Sequence, residues 1–276
     1  MEKKYKLTKE TINVFNKTLY RIEALRDFND VKKGDKGGFV EKEDNLSQSD
    51  NCWVYDDAKV FGNAEVYYNA RVHDNAIVRG NARVCQDAVI RGNARIYDNA
   101  LVHGNARVCG HTIVCGHTIV RGNARVFGYS EIFGNAEIFG NAWVYGNARV
   151  FDKAKVYDNA EIFDDAKIYD DAKIYGLAWV YRNAEVCGSA EVCGDARICA
   201  DAKVESNGDY IVFKNWWSSG RYFTWTKSND MWKVGCFYGT GKELIDKAYR
   251  DSEISGREYE RIVKYVETIN NDLEIM

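Results

Sequence analysis

From Val54 to Val204, every sixth residue is Val or Ile. That makes twenty-six positions, eighteen Val and eight Ile. Two residues before each, from Ala58 to Ala202, stands Ala, with Thr112, Thr118 and Ser130 as the three departures. Between units lies a two-residue punctuation, usually Gly-Asn, Asp-Asn or Asp-Asp. Those residues tolerate positive φ and tight turns. The pattern predicts a four-residue strand, Ala-x-Val-x, followed by a corner. Side chains alternate along a strand, so Ala and Val point inward and the two x residues outward. One small and one β-branched inward residue cannot form a core alone. The unit must stack on copies of itself, and each Val or Ile so buried contributes about 1.5–3 kcal/mol.

The pattern resembles that of the hexapeptide-repeat proteins. The resemblance implies a left-handed parallel β-helix with three hexads per coil. The expected architecture is therefore an all-β solenoid of about eight coils over residues 54–204, roughly 40 Å long at ~4.8 Å per rung. No insertion interrupts it. Residues 1–53 do not follow the repeat and are expected to form a β cap. In them, TINVFNKTLYRIEAL reads as a hairpin turning at Asn16-Lys17. Residues 205–276 are expected to form a small α+β domain. Three antiparallel strands precede a helix, GKELIDKAYRD, with Leu244, Ile245 and Ala248 on one face. Ser255 with Glu258 reads as a capping box opening a last helix, where Tyr259, Ile262, Val263, Val266 and Ile269 keep helical spacing.

Composition removes several function classes. The net charge is −3, which calls for no nucleic-acid partner. The opening MEKKYKLTKETINVF has lysines but no apolar stretch behind them, so no signal peptide is read. No run has the length of a membrane span. The eight cysteines show no CxxC and no zinc-ligand spacing. Reduced thiols in the cytoplasm are expected, and no cofactor is implied. Proline is absent, where average usage gives about fourteen. A chain whose N–H groups serve strand ladders tolerates few.

Candidate chemistry follows from the three faces, on which residues eighteen apart stack. The first face carries Arg71, Arg91, Arg107 and Arg125, then Trp143, Tyr145 and Trp179. A guanidinium column takes phosphate or carboxylate; it reads equally as solvated surface. These seven residues are the expected ligand- or partner-binding set. The other faces show Ile77, Leu101, Ile113 and Ile119, packing sites for a terminal domain or for a second subunit in a homo-oligomer. From Phe127 to Tyr181 the residue after each Val or Ile is aromatic ten times running. The rings fall on all three faces, as expected for cross-strand stacking rather than for a partner. The unit CGHTIV occurs twice, at 109–114 and 115–120. Its histidines, His111 and His117, fall on successive corners about 15 Å apart at strand rise, so they cannot share a metal within one chain. His73 and His103 project from different faces.

Two further resemblances bear on function. RDFNDVK, Gly37-Gly38 with an aromatic next, and Asn45-Leu46-Ser47-Gln48 leading into Cys52-Trp53-Val54 resemble the N-terminal segment of YdcK-type hexapeptide-repeat proteins. That family carries a transferase label, but no catalytic residue transfers to this chain. Hexapeptide acyltransferases pair a catalytic His with a loop extruded from the coil, and no such loop interrupts this run. The stretch MWKVGCFYGTGKELIDKAY is similar to a small domain at the ends of phage and prophage proteins, which implies a viral or prophage origin. Nearby, Trp216, Trp217, Tyr222, Phe223 and Trp225 read as core or as a stacking platform for a base. The expectation is a non-enzymatic binding or scaffold protein that captures a host protein or a small anionic ligand such as a nucleotide. The alternative is an acyl-CoA-dependent acyltransferase with a site between subunits.

Overall fold

The computed structural model describes residues 2–216 and 220–274. Strands β1 (Tyr5–Val14), β2 (Lys17–Ala24) and β3 (Lys36–Val40) come first. Twenty-six two-residue strands follow, from β4 (Trp53–Val54) to β29 (Lys203–Val204), one per hexad. Each pairs in parallel with the strands eighteen residues before and after it; Arg107, for example, lies between Val89 and Arg125. The result is three columns of nine, nine and eight strands. This is a parallel β solenoid of about nine turns, one more than the expected eight. The inward Ala, Val and Ile of the repeat are 0–1% exposed and form one continuous core.

The corners explain the punctuation. The first corner residue has a φ of +52 to +81° at every hexad from Asp56 to Ala200, where a Cβ is strained. Glycine removes the strain. It also removes a clash, because a Cβ on Gly116 would lie 2.6 Å from the Gly134 carbonyl oxygen. Aspartate offsets the strain differently. Its carboxylate accepts the N–H of the corner one coil on, as Asp74 does from Gly92 (2.8 Å) and Asp170 from Gly188 (3.0 Å). At the second corner position the Asn amides form ladders, such as Asn63–Asn81–Asn99. Where polar residues replace inward Ala, Thr112 donates to the Cys109 carbonyl (2.6 Å) and Ser130 to that of Phe127 (2.9 Å). The buried Thr118 hydroxyl has no partner among the described residues.

Each rung points its N–H groups toward the next coil and its carbonyls toward the previous one, so the two ends expose opposite groups. At the N-terminal end Phe39, Glu41 and Ser47 donate their N–H groups to Ala58, Val60 and Val66. Val40 and Leu46 lie beside Val60 and Val66 and so continue two columns into the cap. The hairpin of β1 and β2 turns at Phe15-Asn16, one residue before the expected place. Both have positive φ, +50 and +59°, which the two-residue type I′ hairpin turn requires. The hairpin lies over the second face, where Leu19, Phe39 and Phe61 cluster and Ile77 packs against them. Ile77 thus serves the cap, while Leu101, Ile113 and Ile119 remain half-exposed.

At the C-terminal end four antiparallel strands follow, β30 (Tyr210–Lys214), β31 (Tyr222–Thr226), β32 (Met231–Val234) and β33 (Phe237–Gly239). Three were expected; Gly235, at φ +55°, turns the chain and divides the third. Side chains from this domain accept N–H groups of the last strand in each column. Asn207 accepts from Glu191 (2.7 Å), Thr224 from Arg197 (3.0 Å) and Ser228 from Lys203 (2.7 Å). Helix α1 (Gly241–Asp251) opens on the capping box Thr240–Glu243. Helix α2 (Glu253–Glu274) starts earlier than the Ser255–Glu258 reading, with Ser252 accepting the N–H of Ser255 (3.1 Å). Of the aromatics at 216–225, Phe223 and Trp225 are buried beside Trp232 and Val263, and Trp217 lies outside the described residues. Among the described residues no helix is long and apolar enough to cross a membrane.

Candidate functional site

On the first face the outward side chains change character between the second and sixth rungs. Further along this face the outward positions carry stacked rings, from Phe127 to Tyr181. Here two short residues, Val89 and Cys109, leave a hollow of about 520 Å3. Arg71, Arg91, Arg107 and Arg125 surround it, with His73 and Asp30 at the N-terminal end and Phe127 and Trp143 at the other. Rungs are ~4.8 Å apart, so the hollow runs about 19 Å along the solenoid from Arg71 to Trp143.

The four arginines form no ion pair with any of the described residues, whereas Arg83, Arg149 and Lys167 on the other faces each pair with a Glu. Asp30, the acid on the rim, is already engaged. Its Oδ1 accepts from the Tyr55 hydroxyl (2.7 Å) and from the Asn29 amide (2.9 Å). Arg125 lies over the Trp143 ring, 4.8 Å from its centroid, and Phe127 meets that ring edge-on at 6.1 Å. A cation–π contact of this kind is worth about 0.5–2 kcal/mol, so Arg125 is held where it stands. His73 stacks on Tyr55 at 4.1 Å. Burial, then the neighbouring Arg91 charge, holds its pKa below the usual imidazole value. Burial pushes the Cys109 thiol up, against the pull of Arg91 and Arg107.

Of the seven expected residues, Arg71, Arg91, Arg107, Arg125 and Trp143 line this one hollow. Tyr145 and Trp179 do not. Tyr145 stands in a stacked column between Phe127 and Phe163, at 4.9 and 5.0 Å, and Trp179 lies two rungs beyond Trp143 against Phe163 and Arg197. The same stacking recurs on the other faces, at 4.8–5.0 Å from Phe133 to Tyr169 and from Phe139 to Tyr175. Val89, Asp30, His73, Cys109 and Phe127 also line the hollow and lie outside the expected set. Val89 and Cys109 matter through their small size, and Asp30 arrives from the cap.

The paired CGHTIV units are explained by the corner ladder. His111 stands where Asn usually stands, its Nε2 3.4 Å from the Asn93 amide, and it stacks on Tyr129 at 4.8 Å. His117 borders a shallow hollow with Arg83 and Leu101. Among the described residues no three His, Cys, Asp or Glu side chains come together as a metal site, and all eight cysteines are free thiols.

The comparisons with known proteins agree with the architecture. The family described as "YdcK Beta solenoid repeat" matches residues 94–110. A protein of Escherichia coli (strain K12) named "Uncharacterized acetyltransferase YdcK" is 48% identical over 48 residues. The aligned part is 17% of this chain and 15% of that protein. Residues 94–110 of the solenoid thus match the YdcK beta-solenoid repeat.

Proposed function

We propose that the protein is a non-enzymatic binding protein whose first-face groove captures a small anionic ligand such as a nucleotide. One observation carries this reading: four guanidiniums without carboxylate partners among the described residues line a single hollow. Like charges gathered at one place repel, and an arriving anion relieves that repulsion. Guanidinium suits phosphate and carboxylate because it offers paired, parallel donors. The hollow also has ligand scale, since small-molecule sites run ~300–1,000 Å3. The test is isothermal titration with ATP. Arg107→Glu combined with Trp143→Ala should abolish the binding heat with the circular dichroism unchanged. Undiminished binding by that variant would overturn the reading.

A second reading is acyl transfer from an acyl-CoA. His73 favours it, because an imidazole held neutral at the edge of an anion groove is placed to serve as a general base. The name of the Escherichia coli relative points the same way. Acetyl-CoA turnover followed by thiol release, lost in His73→Asn, would support it. Absence of turnover with amine and hydroxyl acceptors would remove it and leave the first reading standing.

A further inference from the structure

We infer that the groove takes a phosphomonoester joined to a planar organic group, with the phosphate at its N-terminal end. This rests on the reading of the groove as an anion site and adds orientation and ligand class to it. The arginines are not spread evenly. In the first-face ladder Val89 lies directly between Arg71 and Arg107, and Arg91 follows it two residues on. Three long cationic side chains thus surround one short apolar one. All four line the hollow, and the short Val89 leaves a pit among the three cations. A phosphate dianion offers three oxygens to those donors, where a carboxylate offers two.

The rest of the hollow has different chemistry. One rung on, Cys109 is the floor, with Phe127 above it in the same column and Trp143 beyond. Arg125 lies over the Trp143 ring at 4.8 Å, which sets a flat cation beside two rings. Flat cations and rings of this sort stack on planar organic groups. The pit and this end are separated by about two rungs, ~10 Å, so one compact anion cannot reach both. A purely inorganic polyanion would leave the Phe127 end unused.

The experiment titrates the protein with AMP, phenyl phosphate, inorganic phosphate and adenosine, using calorimetry at fixed ionic strength. AMP and phenyl phosphate should each bind at least tenfold more tightly than inorganic phosphate, with adenosine silent. Val89→Phe fills the pit and keeps every arginine. An outward ring at this column is tolerated at Trp143, so the fold should persist by circular dichroism while phosphate and AMP binding are both lost. Trp143→Leu should bring AMP down to the level of inorganic phosphate. If AMP and phenyl phosphate bind no better than phosphate, the two-part ligand is wrong and the anion groove remains. If phosphate, AMP and phenyl phosphate all fail to bind, the anion groove itself is wrong. Adenosine binding equal to AMP would overturn both.

Discussion

The C-terminal domain ends the solenoid by hydrogen bonding, and one substitution tests this. Thr224 is 1% exposed, and its hydroxyl accepts the Arg197 N–H at 3.0 Å. Thr224→Val keeps the shape and replaces the acceptor with a methyl group. Thr224 is buried where Lys203 is exposed, so the Arg197 N–H loses its partner at a cost of about 1–3 kcal/mol. Ser228→Ala removes the equivalent acceptor for Lys203, but Lys203 is exposed and water takes the place of the hydroxyl. That change should cost less than about 1 kcal/mol. Amide exchange reads both directly. At about 1.4 kcal/mol per factor of ten, the Arg197 amide in Thr224→Val should exchange roughly tenfold faster or more, and the Lys203 amide in Ser228→Ala only a few-fold faster. Equal effects at the two sites, or no acceleration at Arg197, would refute the view that side chains of the domain terminate the sheets.

Other consequences are similarly direct. Gly116→Ala should destabilise by about 1–2 kcal/mol or more, because φ is +75° and the new Cβ meets the Gly134 carbonyl oxygen; chemical denaturation measures it. Phe151→Ala removes two ring stacks, at 4.8 and 5.0 Å, each worth about 0.5–1.5 kcal/mol beyond area burial, and should lower the unfolding midpoint accordingly. The Glu41 and Glu185 carboxyls are held below their ordinary value, first by hydrogen bonds from Lys17 and Lys167. A depressed folded pKa contributes stability that is complete above the unfolded value, about 4.3, and is lost as pH falls through the lower folded one. The melting temperature should therefore hold from pH 7 to 5 and fall below that; a rise on acidification through pH 4 would contradict the assignment.

How much of this was legible in the sequence differs from element to element. A period of six with invariant Val or Ile leaves one arrangement in which every inward side chain is buried, so columns, corners and face membership follow from counting. The period fails where Val40 and Leu46 continue it, because the chain to Trp53 carries extra residues and shifts the phase. The hairpin turn is one residue off because Phe15 occupies a left-handed conformation that Phe rarely adopts. Three strands became four because Gly235 lies inside a run that otherwise reads as continuous. At the groove, the arginines were visible as outward positions of one face, Arg71, Arg107 and Arg125 at multiples of eighteen residues and Arg91 two residues off that column. The hollow was not, since it is made by the small volumes of Val89 and Cys109 and closed by Asp30 from a different segment. Counting already places Tyr145 in a ring column, and packing adds that Trp179 lies beyond the hollow against Phe163 and Arg197.

The central claim is that the first-face arginines form one anion site, and calorimetric titration with AMP of the native protein against Arg107→Glu tests it most directly. Saturable binding to the native protein, weakened at least tenfold in the variant and by added salt, is the predicted result. Binding of equal strength in both would place any anion site elsewhere on the solenoid and contradict the account.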